Sequence, residues 1–544
     1  MTTKETTFYY ALLTLVLWAP INNHAHALIA GPGADPTQWI WFLQWYAHCI
    51  TTCTNPWHTT TLWAPAGMST AWATSTPLLC TIMTPITLWL GPFISYNIMA
   101  TATIAANAAA ARWLARCAGA RRWPATAAGA AVAYSPFALT ELMGRPCVYT
   151  TWPITCAVAA YILLARGRRS SLWFATAATA AMTAQVYISV EPVLAASLTA
   201  GLTLALLYAA DPKARPQIRE TLPGLLSAAT ATATIALPML YEMLRTQHPT
   251  TPIFPPEMTA ADLLNYIIPT PVNWLGGRLW QCVTVTFQVI FQEQDAYIGI
   301  PLLATAAWLY RKHAKQTTAK ACACAGICAA TLAMGRHLEI AGIITPIPLP
   351  MDLTKYTPIL NQLIPVRITQ YATLATIIGV AAAWPRTTSR TLARNTGLTL
   401  LTTLSLLPAS HPDYWYYKPT NPKLFTTHRY RRYIQPGQNV LTLPETAEGK
   451  GSMYTAEDNF YWNNAAGWIG AATAHPAYRQ HYFTAKKFKP WLKRHNCTLV
   501  IVPHKWTRRE QPLTRTLRAL ANDDGAIIYT TILAPNETRK QEKP

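Results

Sequence analysis

Between Glu5 and Arg112 the chain carries one charged residue, Asp35. A stretch that poor in charge cannot form an ordinary water-facing surface. Further apolar runs follow, separated by short basic clusters: "RWLARCAGARRW", "RGRR", "DPKARPQIRE", "RKHAKQTTAK" and "RTTSRTLAR". Repeated apolar runs with basic connections are the pattern of a polytopic membrane protein. Only 12% of the 544 residues are charged, against about 25% in a soluble domain. Mean hydropathy is modest at +0.13, because Thr fills many positions in the apolar runs and the last third of the chain is polar.

The net charge of +21 is not a nucleic-acid signal. The basic residues sit beside apolar runs and in the C-terminal tail, which is a topology signal. The eleven cysteines show no zinc-type spacing. Cys49 and Cys53 either pair or remain free thiols. No Gly-rich dinucleotide or phosphate loop occurs.

The apolar runs predict about eleven spans, near 8–28, 83–111, 124–140, 147–165, 171–187, 193–209, 222–243, 296–310, 320–334, 367–384 and 396–409. The strongly basic clusters then fall on one side, which the positive-inside rule assigns to the cytoplasm together with the amino terminus. Residues 29–82, 245–294, 335–366 and those after 410 fall outside. The expected fold is mainly α: a polytopic transmembrane bundle over 1–409 with folded outer loops, then a small extracytoplasmic α/β domain over 410–544. Within the latter, 439–444, 497–503 and 526–535 read as strands, and "RREQPLTRTLRALAN" reads as a helix between the last two.

Ionisable residues at membrane depth cost several kcal/mol and mark function by default. Asp35, Glu141 and Arg145, Glu191 in "YISVEPVL", Glu293 and Asp295 in "FQEQDAYIG", and Arg367 in "LIPVRITQY" all project to one surface in this threading. Each also has a structural explanation. Asp35 suits a helix N-cap before Pro36, and Glu191 suits a first helical turn. Arg367 could reach lipid headgroups, and Glu141 and Arg145 are spaced to pair. The first outer loop holds Trp39, Trp41, Trp45, Tyr46, Trp57, Trp63 and Trp72. Such a set suits an interfacial belt or the stacking of sugar rings.

The order of these segments resembles the GT-C superfamily of membrane glycosyltransferases, whose usual mark is an acid in the first outer loop. Here that acid is Asp35 in "GPGADPTQWIWFLQW". The layout is most similar to an actinobacterial group. The similarity runs through Asn55-Pro56, "APAGMSTAWATSTPLLCTIMTPITLWLGPFISYN", "AYSPF", "SVEPVL", "FQEQDAYIGIPLL", "MGRHLEIAGIITPIPLP" and "IPVRITQY". Two departures stand out: Ala34 replaces the usual Gly before the Asp, and Pro36 stands where many GT-C enzymes carry a second acid.

The resemblance implies sugar transfer from a polyprenyl-phosphate donor to an extracytoplasmic glycan, lipid or protein at the surface of the bilayer. Asp35 would be the general base. Glu191 and Glu293 would bind sugar hydroxyls or hold an arginine. Arg367, Arg336 and Lys355 are the expected donor-phosphate ligands. Trp39, Trp45, His48, Asn55, Trp72 and Arg145 are the expected sugar or acceptor contacts. No metal ligands are assigned, and a divalent cation, magnesium or manganese, is left open as a cofactor. Two rival readings are a transporter or flippase of lipid-linked sugars, for which lone intramembrane charges also serve, and a non-catalytic glycolipid-binding relative.

Overall fold

The computed structural model describes Leu28, 35–246 without 74, 254–385 without 358, 392–407, 409, 417–419, 421–445, 450–470 and 485–531. The expected first span lies outside the described residues except for Leu28. The chain is mainly helical. In order come α1 Asp35–Thr52, α2 Pro77–Ala118, α3 Arg122–Ala133, α4 Pro136–Leu142, α5 Pro146–Tyr149, α6 Trp152–Ala165, α7 Ser171–Ile188, α8 Val190–Ala210 and α9 Arg215–Arg245. Then follow α10 Ile300–Lys312, α11 Thr317–Ala333, α12 Thr369–Ala383 and α13 Leu392–Leu406.

Among the described residues, five helical stretches are long and apolar enough to cross a membrane: Pro77–Ala118, Pro146–Ala165, Val190–Ala210, Arg215–Arg245 and Pro365–Ala383. Their outward faces carry residues such as Trp89 (82% exposed) and Leu226 (66%), an exposure suited to lipid and costly in water. Proline opens α2, α4, α5, α6 and α10, where its missing N–H has no helical partner to lose. Ser135 and Ser170 cap α4 and α7 by accepting from the N–H groups of Ala138 and Trp173. The threonines that lowered the mean hydropathy bond inward. Thr84, Thr87, Thr199, Thr203 and Thr376 each donate to the carbonyl four residues back at 2.7–3.1 Å. A hydroxyl satisfied in this way is tolerated in an apolar setting.

Besides a short pairing of His58–Thr59 with Met68–Ser69, the described residues form two further groups of strands. A hairpin pairs β1 His337–Ile340 with β2 Ile343–Pro348. A five-stranded mixed sheet consists of β3 Asn439–Thr442, β4 Asn463–Asn464, β5 Leu499–Pro503, β6 Arg518–Asp523 and β7 Ala526–Thr530, in the order β4-β3-β5-β7-β6. The helices α14 Gly451–Glu457, α15 Ala485–Arg494 and α16 Thr507–Thr514 accompany it. One expectation is corrected: the helix read over 508–522 stops at Thr514, and Arg518–Asp523 is a strand. The cause is the turn that follows. Asp524 and Gly525 both have positive φ (38° and 96°) and join Asp523 to Ala526 in an antiparallel pair, as two-residue hairpin turns of Asp-Gly type do.

Helix α1 is buried on nearly every side over its first three turns. Trp39, Trp41, Phe42 and Trp45 share one hydrophobic core with Val440, Leu441, Met453, Trp462 and Val500 of the sheet region. The loop after α1 adds to the sheet edge: Asn464 donates to the Thr61 carbonyl at 2.8 Å and accepts from Ala64 N–H at 3.2 Å. Cys49 is buried and Cys53 exposed, and both are free thiols. Trp462 is fully buried within the shared core. Trp462→Ala should cost about 3–5 kcal/mol, measured as a lowered unfolding midpoint of the detergent-solubilised chain.

Candidate functional site

Asp35 is the first residue of α1 and is half-buried. The helix N-terminus favours negative charge there. The turn that follows α4 presses against it. Gly144 has φ +153°, and a Cβ at that position would lie 3.2 Å from Asp35 Cβ and 3.0 Å from Pro36 Cδ. Trp39 Nε1 donates to the Gly144 carbonyl at 2.6 Å, which fixes the turn to α1. Only a residue without a side chain fits this approach.

From that turn an ion-pair ladder runs across the site. Arg145 Nε donates to Glu141 Oε2 at 2.7 Å, and Nη1 lies 3.0 Å from Glu293 Oε1. Arg367 Nη2 donates to the same Glu293 oxygen at 2.6 Å, while its Nη1 donates to Glu191 Oε2 at 2.7 Å. Glu191 also accepts from Ile364 N–H at 3.4 Å. Glu293 therefore lies between two guanidiniums, and Arg367 lies between two carboxylates. Arg145, Glu141 and Glu293 are buried.

Asp295 adds a further buried acid. Its two oxygens have no hydrogen-bond partner, and neither does Glu141 Oε1. Five carboxyls thus face two guanidiniums. Burial raises Glu141 and Asp295 above the usual carboxylate range, and the neighbouring acids reinforce the shift against the pull of the arginines. Burial would also raise Glu293, but Arg145 and Arg367 overcome it and bring that group below its ordinary value. Asp35 is raised by burial and restrained by the charges of Arg145 and Arg367. Carboxylate oxygens of Glu141, Glu293 and Asp295 lie within 4.8 Å of one another. This all-oxygen set, with Asp295 unpartnered, fits a hard divalent cation in donor chemistry.

The structure thus brings Asp35, Arg145, Glu191, Glu293 and Arg367 into one neighbourhood. Arg336 lines a narrow cleft with Phe254, Thr259, Met351, Gln362, Ile364 and Pro365. It donates to Asn361 Oδ1. Lys355 is exposed and pairs with Asp352 at 2.6 Å. The aromatic residues expected at sugar make packing and hydrogen-bond contacts. Trp39 is wholly buried. Trp45 donates to the Pro56 carbonyl at 3.0 Å and stacks with Trp41 and His48. Trp72 donates to the Met243 carbonyl at 2.7 Å, and Asn55 holds a turn by accepting from Trp57 N–H. Sequence reasoning put Glu141 and Asp295 at this surface but gave them no role in the site. Their signal was present: an acid four residues before Arg145, and another two residues after Glu293.

A family model described as "Domain of unknown function (DUF6311)" matches residues 7–405. No curated protein matches the chain. The solved oligosaccharyltransferase of Archaeoglobus fulgidus in the apo form is similar over 98% of this chain and 74% of that one, with a TM-score of 0.54 and 11% identity. ArnT from Cupriavidus metallidurans bound to undecaprenyl phosphate is similar over 98% and 99%, with a TM-score of 0.52 and 11% identity. The arabinofuranosyltransferase AftD from Mycobacteria is similar over 98% of this chain and 40% of that one, with a TM-score of 0.56 and 12% identity. At these identities the likeness is one of fold.

Removing one member of a buried pair strands the other's charge. Glu293→Gln leaves two guanidiniums without their shared partner and should cost about 3–5 kcal/mol of stability. Glu191→Gln, at a carboxylate whose side chain is 21% exposed, should cost distinctly less. Thermal unfolding of the two variants in detergent measures the difference.

Proposed function

The chain belongs to the DUF6311 family, and we propose that it is a membrane glycosyltransferase drawing on a polyprenyl-phosphate sugar donor. The observation that carries this reading is one carboxylate at a helix N-terminus, half-buried and unencumbered by a direct ion pair, beside a rigid array of charged groups at one end of an apolar bundle. The GT-C fold and the motif order of the actinobacterial group support it. The same proposal takes the site to be extracytoplasmic, the amino terminus cytoplasmic, the spans about eleven, and the C-terminal sheet an α/β domain beside the bilayer. The acceptor is a cell-envelope glycan, lipid or protein.

Asp35 takes the proton of an acceptor hydroxyl. The acceptor oxygen bonds to the anomeric carbon from the face opposite the lipid phosphate. The bond from that carbon to the phosphate oxygen breaks, and its electron pair leaves on polyprenyl phosphate. The configuration at carbon inverts. Burial strengthens Asp35 as a base by raising its pKa, and the charges of Arg145 and Arg367 oppose that rise.

Arg367 and Arg145 act here as positioning residues, because each is already committed to carboxylates. Glu191 and Glu293 hold them. Arg336 is the better ligand for the donor phosphate. Among the described residues it has no carboxylate within ion-pair distance, and its cleft mixes apolar walls with the polar side chains of Thr259, Thr354 and Gln362. Lys355 is weaker in this role because Asp352 neutralises it. Glu141, Glu293 and Asp295 would hold a divalent cation, which when bound supplies positive charge toward a departing phosphate.

Asp35→Asn should lower sugar transfer by about a hundredfold or more, with expression and extraction unchanged. Undiminished turnover in a polyprenyl-phosphate-sugar assay would reject the base assignment. The base works deprotonated and its pKa is raised, so the rate should fall with decreasing pH above the ordinary carboxylate range, and a pH–rate profile reads this limb. Arg336→Ala should raise KM for the lipid donor while leaving KM for the acceptor unchanged; a shift confined to the acceptor would reassign the cleft.

A further inference from the structure

The β1–β2 hairpin is rigid, yet its second strand offers apolar side chains to its surroundings. Its turn is Ala341-Gly342, both with positive φ (53° and 77°), the two-residue geometry that matches strand twist. Gly342 N–H donates to Asp262 Oδ2 at 2.8 Å, and Gly342 accepts from Gln288 Nε2 at 3.1 Å. A Cβ at Gly342 would lie 1.9 Å from the Thr286 carbonyl oxygen, so the tip is seated closely on the 254–294 segment. The one acid of the hairpin, Glu339, is turned inward and buried, where it accepts from Gln288 N–H at 3.1 Å.

Strand β2 is the reverse. Ile343 is 70% exposed and Ile344 and Ile347 are about half exposed. The turn that follows adds exposed Leu353, Tyr356 and Ile359. No charged residue occurs from Ala341 to Met351. Pro346 and Pro348 remove N–H groups from the strand, which suits an edge that meets no partner strand and little water. Lys355 lies over the Tyr356 ring at 5.1 Å, and this pairing of residue types belongs at a bilayer boundary. The hairpin begins just after the apolar helix α11 ends, and its segment returns to the apolar stretch Pro365–Ala383. Among the described residues nothing covers this face.

We propose that β2 and the following turn lie in the headgroup-to-acyl boundary of the lipid leaflet at the Asp35 end of the bundle, with Ile343, Ile344, Ile347 and Leu353 in contact with acyl chains. Interfacial segments of this kind bury an apolar face while polar groups stay in the headgroup layer. The inference does not rest on the proposed chemistry. It places lipid beside Arg336, which immediately precedes β1.

The test uses the full chain in nanodiscs, with Cys53→Ser and Cys282→Ser to remove the exposed thiols. Ile344→Cys carries an environment-sensitive fluorophore, and Leu520→Cys, exposed on the C-terminal sheet, serves as a water-facing control. Lipids with a spin label high on the acyl chain should quench the Ile344 site severalfold more than the control, and aqueous iodide should quench it severalfold less. Iodide quenching equal to the control would overturn the proposal in favour of a water-facing hairpin. Protection from both quenchers would overturn it in favour of cover by protein, and dilution of the nanodiscs to one chain each would show whether a second copy supplies that cover.

Discussion

The candidate site depends on a pair of guanidiniums sharing one carboxylate in a setting with little water. Arg145, Glu293 and Arg367 come from three separate parts of the chain, and Glu191 and Glu141 close the two ends of the row. In such surroundings each charge is costly alone and tolerable only with its partners in place. The ladder therefore works as a clamp. It fixes the turn beside Asp35, the segment before α10 and the start of the Pro365–Ala383 stretch relative to one another. A reacting group held by such a frame needs little reorganisation when charge moves, which is the condition under which electrostatic catalysis is strongest.

The surplus of acids gives the frame a second property. Three of the carboxyls cluster, and Asp295 has both oxygens unpartnered. That arrangement is stable only with added positive charge, either protons on Glu141 and Asp295 or a hard cation among them. Asp35 stands outside this cluster and feels it through Glu293, whose negative charge raises its pKa.

Much of this was legible in the sequence because the membrane makes charge conspicuous. Asp35, Glu191, Glu293 and Arg367 stood out as solitary ionisable residues, and the threading put them at one level. Their partnerships were not legible. Arg367 meets Glu293 across 74 positions and Glu191 across 176, and no local pattern encodes such pairs. Composition cannot tell an aromatic core from an aromatic platform; Trp39 is wholly buried and props Gly144. At the other end of the chain, helix-favouring residues in "TRTLRALAN" outweighed the Asp-Gly turn that makes Arg518–Asp523 a strand. There the local signal was available and the wrong period was read from it.

Helix α1 has a consequence for how the chain can change over time. It carries Asp35 at its tip, yet its flanks are walls of the interior that Trp462, Met453 and Val500 complete. A slight shift in that interior tilts the helix, and the carboxylate at its end moves with it. Drift in the β-rich region is therefore answerable to chemistry conducted elsewhere, and neither part is free to be exchanged for a foreign counterpart without retuning the other.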